Sequence, residues 1–484
     1  MRVRGPALSA PRADVDLAPR TALALCALAV AIGLGVRMLG LRSDFWLDEV
    51  WSWWSVRRLG SARGVFTALH HSNNNHLNSL WIYAVGDAAP WVYRLPSLLA
   101  GSASVALGAW LGWRRGRLEA ALSAILLAGS FALVHFSSEA RGYATAVAFA
   151  LGAQCALESA LARWRWTSAA LFGACIALGF LSHLVFLFYW AGAAAQSSWQ
   201  LRGLPWRRLA ARLAALHAAP LVILAALYRV DLRFMVVGGG DPNDIPLLVA
   251  QSVGYALGLP AERALAWPYG GLALALVGAG LWLRARERDA SWIAFGISLC
   301  GPVLAFAVLR PEVIALRYFV IGIALGLLLC ADLAAHAWRR GGAARALAAL
   351  AVLAFLSGNA HDLRAFAALG RGGYAAALRT MAENTAGSRI EVGSDHDFRN
   401  AMVLRFYARE LPPDRQLVYV PQDRWPPGGP EWLIRHAAQR PAQPLAQLRA
   451  AGSRYRLFAE FDHASISGFY WALYRREDAG GAAR

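Results

Sequence analysis

Apolar runs of about 20 residues, each long enough to cross a hydrocarbon layer of roughly 30 Å, recur along the chain as far as residue 358. Short arginine-bearing connections separate them. A water-soluble core cannot hide that many apolar segments, so lipid is their solvent. The spans read as 21–40, 92–112, 119–136, 142–161, 167–182, 184–199, 212–228, 267–283, 291–309, 314–335 and 344–358, about eleven helices of membrane-crossing length. Leu247–Leu259 is short and interrupted by glycine, which suits an interfacial or re-entrant helix. The pattern predicts a mainly α, polytopic transmembrane helical bundle.

From about Ala360 the pattern turns polar, with Pro, Asp, Arg and Gln throughout. Arg389–Val392, Gln416–Val420, Tyr455–Phe461 and Phe469–Arg475 alternate as short strands do, and Phe398–Glu410 has helical periodicity. The expected organisation is a basic cytoplasmic N-terminus (1–20), a membrane domain (21–358) whose first external loop is 41–91, and a small C-terminal α/β domain (359–484) outside the membrane.

Composition sharpens this picture. Of the 484 residues, 57% are hydrophobic and only 16% charged, against about 25% charged in soluble domains. The run after Arg20 continues at spanning length, so it reads as a first membrane helix and not as a cleaved signal peptide. The formal charge of +18 does not point to nucleic acid, because the arginines cluster between apolar spans. Those clusters, Arg114/Arg115/Arg117, Arg163/Arg165, Arg202/Arg207/Arg208/Arg212, Arg284/Arg286/Arg288 and Arg339/Arg340/Arg345, fall on alternate connections. The positive-inside rule then places them in the cytoplasm and the intervening loops outside a bacterial inner membrane. The five cysteines lie singly inside apolar segments, without metal-ligand spacing.

The first external loop opens Ser43-Asp44-Phe45-Trp46-Leu47-Asp48-Glu49. On one helix Asp44 and Asp48 share a face, and with Glu49 they suit a general base or the ligands of a divalent metal cation. An amphipathic interfacial helix, with tryptophans at headgroup level and carboxylates in water, is the plainer alternative. Farther on come His70-His71-Ser72-Asn73-Asn74-Asn75-His76-Leu77-Asn78 and then Arg94-Leu95-Pro96-Ser97, side chains that hold hydroxyls or a phosphate. His70, His71 and His76 lack the spacing of an ordinary tetrahedral zinc site. Glu139-Ala140-Arg141-Gly142-Tyr143 and Arg317-Tyr318-Phe319 put arginines at external helix ends, where such residues mark function or snorkel to headgroups.

In this order the pieces Asp48-Glu49, Asn75-His76-Leu77, Arg94-Leu95-Pro96-Ser97, Glu139-Ala140-Arg141-Gly142-Tyr143 and Arg317-Tyr318-Phe319 resemble the GT-C class of membrane glycosyltransferases. The likeness is to glycosyltransferase family 39, the protein O-mannosyltransferase and aminoarabinose transferase relatives, and covers residues 21 to about 335. Asn75-His76-Leu77-Asn78 stands where that family often shows His-Pro-Pro-Leu. The resemblance implies a GT-C-like bundle, a polyprenyl-phosphate sugar donor held in the membrane lipid, and a catalytic residue in the acidic pair, Asp48 or Glu49. Arg141, Arg317 and Arg94 become the phosphate-binding cations, and His76, Asn75, Tyr143, Tyr318 and Glu139 the substrate contacts. Any divalent metal cation would sit on Asp48 and Glu49; no other cofactor is implied. The acceptor is a hydroxyl of a protein, glycan or lipid. A permease without chemistry and a scaffold that presents the C-terminal domain are the competing readings.

Overall fold

The computed structural model describes residues 16–238, 244–464 and 466–477. The chain forms two compact units: one runs to Leu41 and resumes over Val56–Leu363, and the other joins Arg42–Ser55 to Arg364–Arg484. The acidic segment, read from sequence as part of the membrane domain's first loop, thus belongs to the same unit as the C-terminal residues.

The first unit is helical. Among the described residues eight helices are long and apolar enough to cross a membrane, or nine if the bent pair Arg117–Gly129 and Phe131–Ser137 is one span. The chain is a multi-pass membrane protein. All eleven expected spans are helices, but Trp166–Ser182 and Phe186–Leu201 have only 17 and 16 residues, short of an untilted crossing at 1.5 Å per residue. Ile245–Leu257 is the separate short helix that its glycine-interrupted sequence suggested. Local signals set the ends. Pro19 and Pro90 occupy first helical turns, where the missing N–H costs nothing. Arg310 ends Ser291–Leu309 in the left-handed conformation (φ 44°) ahead of Pro311, which cannot continue a helix.

An ion network, buried at Arg284 and Asp332 and open toward Glu287, ties several helix ends together. Arg115 donates to Asp332 (2.8 Å) and Glu287 (2.6 Å) and pairs with Asp289, while Arg284 donates to the other oxygen of Asp332 (2.8 Å). Arg339 and Glu119 make a two-pronged contact. These arginines come from the basic connections between the spans, so those clusters are also ion-paired structure.

The second unit is built on a six-stranded sheet. Its strands are β1 (Arg389–Ser394), β2 (Gln416–Tyr419), β3 (Trp432–Ala437), β4 (Gln447–Ala450), β5 (Ser453–Phe461) and β6 (Tyr470–Arg476), in the order β2-β1-β3-β6-β5-β4. β1 is parallel to β2 and β3, and the other pairs are antiparallel. Leu433, Tyr455, Tyr470, Ala472 and Tyr474 form its core. Residues 42–55 pack into this unit through aromatic side chains. Phe45 stacks on Phe406 (5.6 Å between centroids), Trp53 meets Phe406 edge-on (5.4 Å), and Trp51 meets Phe398 (5.3 Å).

Candidate functional site

The helix of the acidic motif begins at Leu47 and runs to Arg57. Asp44 therefore lies ahead of it, and the shared helical face expected for Asp44 and Asp48 does not form. The reason is a competing partner: the Asp44 carboxylate accepts the Ala375 N–H (2.8 Å) at the start of helix Tyr374–Asn384, as an acidic side chain at a helix N-terminus should. Ser43 accepts from Arg371 (2.7 Å), and the Tyr407 hydroxyl receives the Phe45 N–H (2.5 Å) and donates to the Phe45 carbonyl (3.3 Å). Asp48 and Glu49 stand in the first turn of the helix, both buried. Trp46 and Trp53, at 6% exposure each, are packed in protein and not spread at headgroup level.

In the membrane unit, Glu139-Ala140-Arg141-Gly142 is a short irregular link between helices Phe131–Ser137 and Tyr143–Ala162. A link without its own ladder needs outside partners for its backbone. Asn78 donates to the Ala140 carbonyl (2.7 Å), Ser97 to the Arg141 carbonyl (2.9 Å), and Asn75 accepts from the Gly142 N–H (3.0 Å). Asn73 accepts from the Arg141 guanidinium through both its carbonyl (3.2 Å) and its side chain. The asparagine-rich stretch thus frames the link, and Asn75, expected as a substrate contact, has its side-chain oxygen on backbone.

Arg141 also donates to the Tyr143 hydroxyl (3.0 Å). Tyr143 faces His183 at 5.0 Å between rings, and His183 faces Tyr318 at 6.1 Å. The Arg317 guanidinium lies over the Tyr318 ring at 5.8 Å. His183 therefore stands between the two motifs that carry the arginines. Burial first, then the Arg141 and Arg317 cations, push its pKa down to about 3. Its Nδ1 accepts the Val185 N–H (3.2 Å), so the neutral ring carries its proton on Nε2 as a donor. Sequence reasoning did not single out His183, which sits between two apolar helices.

His76, also expected at the substrate, donates from Nε2 to Asp231 (2.6 Å), and His70 donates from Nδ1 to the other oxygen (2.7 Å). Asp231 is fully buried. The contact is made possible by a bridge of His71 to Val236, with Val236 N–H on the His70 carbonyl (2.9 Å) and Ser72 N–H on the Val236 carbonyl (3.0 Å). Arg94 is fully buried and donates to the Gly40 and Leu41 carbonyls (3.0 Å each). Glu139 is likewise fully buried. Among the described residues no three His, Cys, Asp or Glu side chains are grouped to hold a metal ion.

A multi-pass helical bundle with a small C-terminal sheet unit is the architecture of the GT-C fold. The chain is similar to ArnT from Cupriavidus metallidurans in the apo state, with a TM-score of 0.52 and 16% identity over 86% of this chain and 93% of that one. It is similar also to that ArnT bound to undecaprenyl phosphate (0.51, 15%, 95% and 98%) and to the apo oligosaccharyltransferase of Archaeoglobus fulgidus (0.51, 13%, 80% and 64%). What is shared at these identities is the fold. No protein-family model and no curated protein sequence matches the chain.

Proposed function

We propose that the protein moves a sugar from a polyprenyl-phosphate donor to a hydroxyl acceptor at the external face of a bacterial inner membrane. The observation that carries this reading is the pairing of Arg141 and Arg317 around His183: both cations bear on one neutral ring, with Tyr143 and Tyr318 on either side. Two guanidinium groups and an N–H donor suit the oxygens of a lipid phosphate, which attract charge-assisted hydrogen bonds. That a protein of this fold has been seen with undecaprenyl phosphate supports the donor class.

A lipid phosphate leaves as a weakly basic anion, so departure needs stabilised charge more than an acid. In one displacement with inversion, the acceptor oxygen forms its bond to the anomeric carbon as the bond from that carbon to the phosphate oxygen breaks. The acceptor proton passes to the Asp48 carboxylate, and the electron pair leaves with the polyprenyl phosphate, held by Arg141, Arg317 and the His183 Nε2–H. Glu49 orients the acceptor hydroxyl. Glu139, Tyr143 and Tyr318 bound the sugar, while Asn75, His76 and Arg94 hold the links on which the others stand. The acceptor belongs to a protein, glycan or lipid.

Asp48→Asn keeps the side chain's shape and removes the base. Transfer from a radiolabelled polyprenyl-phosphate sugar in membranes should fall about 10²–10⁴-fold; full retained activity removes Asp48 from this role. Mass spectrometry of co-purified lipid identifies the donor directly. Solute counterflow in proteoliposomes without donor consumption would favour a permease.

A further inference from the structure

The link that carries Arg141 is delivered by helix Phe131–Ser137, which bends away from Arg117–Gly129 by 62°. In an unbroken helix the Phe131 N–H would donate to the Leu127 carbonyl four residues earlier. Here that single bond is divided between two outside partners. The Leu127 carbonyl accepts from Arg37 Nη2 (3.0 Å), and the Phe131 N–H donates to Asn359 Oδ1 (2.6 Å). Ser130 stands between them in an extended conformation, and its hydroxyl accepts from Leu133 N–H (3.5 Å) to start the second helix.

Both partners are built into the apolar interior. Arg37, on helix Pro19–Leu39, is 1% exposed and also donates to its own Gly33 carbonyl (3.0 Å). Asn359, on helix Gly342–Leu369, is fully buried, with its amide on the Phe355 carbonyl (2.8 Å). Room for this arrangement comes from Gly101, where a Cβ would lie 2.0 Å from Ser137 Oγ and 3.0 Å from Arg37 Nε. A buried arginine and a buried amide in spanning helices are costly unless they have work to do. Their work here is to satisfy backbone groups that the bend sets free, the condition on which a broken helix is tolerated inside a membrane.

We propose that Arg37 and Asn359 are positioning residues for the transfer: they fix the bend, and the bend aims Glu139 and Arg141. The inference rests on the role given to Arg141 above. It predicts that losing either partner lets the two helices straighten or fluctuate and moves the Arg141 guanidinium off the phosphate. A displacement of about 1 Å costs up to about 10²-fold in rate.

The test uses the full chain in nanodiscs, with Arg37→Met and Asn359→Leu as near-isosteric losses. Arg37→Lys retains a donor and Asn359→Asp an acceptor. Hydrogen–deuterium exchange over residues 130–142 should rise about tenfold or more in the two loss variants, while exchange in Tyr143–Ala162 stays as it was. The Kd for undecaprenyl phosphate should rise about tenfold, with Asn359→Asp and Arg37→Lys restoring most of both quantities. Unchanged exchange over 130–142 in both loss variants overturns the positioning role. Raised exchange with unchanged undecaprenyl phosphate affinity leaves the bend as described and overturns the phosphate role of Arg141. If the loss variants do not fold, the milder losses Arg37→Gln and Asn359→Ser decide: exchange over 130–142 raised severalfold above the parent's supports the role, and parent-like exchange in both overturns it.

Discussion

His183 shows how much a single side chain can depend on its neighbours. Its pKa of about 3, against the usual 6.5, follows from burial and from the Arg141 and Arg317 cations. Above pH 6.5 the ring is neutral in the folded and the unfolded chain, and contributes no pH dependence. As the pH falls from 6.5 toward 3 the unfolded chain takes up a proton that the folded one refuses, so stability drops by up to about 1.4 kcal/mol per pH unit. His183→Gln should flatten that part of the curve by about one proton, measured by denaturant unfolding in detergent at pH 6.5 and 5. An unaltered slope would mean that the ring is protonated in the fold. This residue could not be read from the sequence, because its environment is made by Tyr143, Tyr318 and two arginines brought to it from two separate segments. Asp231 was equally hidden: Tyr228-Arg229-Val230-Asp231 looks like an ordinary helix end, and only the backbone bridge at Val236 brings His70 and His76 to it. Arg141, Tyr143, Arg317 and Tyr318 were legible, since an arginine beside a tyrosine at the end of an apolar run is a strong local signal.

At the scale of elements, apolar run length reveals the long helices of the membrane unit, because about 20 apolar residues leave a chain few alternatives, while the short loop helix His76–Val85 went unseen. Run length could not reveal the break at Ser130, whose cause lies in Arg37 and Asn359. The Asp44–Asp48 pairing failed for a similar reason: i, i+4 spacing says nothing once Ala375 offers Asp44 a helix N-terminus to cap. In the sheet unit β3 and β4 went unseen. β3 is central, and its first three residues, Trp-Leu-Ile, are buried without alternation; β4 has only four residues. Gly142 tests how tightly the elements around the Arg141 link are fitted. A Cβ there would lie 1.9 Å from the Ser182 carbonyl oxygen, a backbone atom that cannot turn aside. Gly142→Ala should therefore destabilise the protein by about 1–3 kcal/mol and abolish transfer. Gly35→Ala, which meets nothing within 4 Å, should leave both unchanged. Equal melting temperatures for the two variants would show that the link has slack.

For the whole molecule the governing fact is that one unit is assembled from two distant pieces of chain. The partners of Arg42–Ser55 include Arg371, Ala375, Phe398, Phe406, Tyr407 and Arg409, so a chain ending at Leu363 retains the acidic segment without these supports. Limited proteolysis in nanodiscs should cut such a truncated chain within residues 42–55 and spare that segment in the full chain; equal protection would mean that the segment folds without the sheet. The order of synthesis gives this arrangement a further meaning. The ribosome makes residues 42–55 early, yet Arg371, Ala375, Phe406, Tyr407 and Arg409, which hold that segment, emerge more than 300 residues later. A nascent or prematurely terminated chain can insert its spans and still leave residues 42–55 without these partners, so on the function proposed here its site is complete only once translation has run past Arg409.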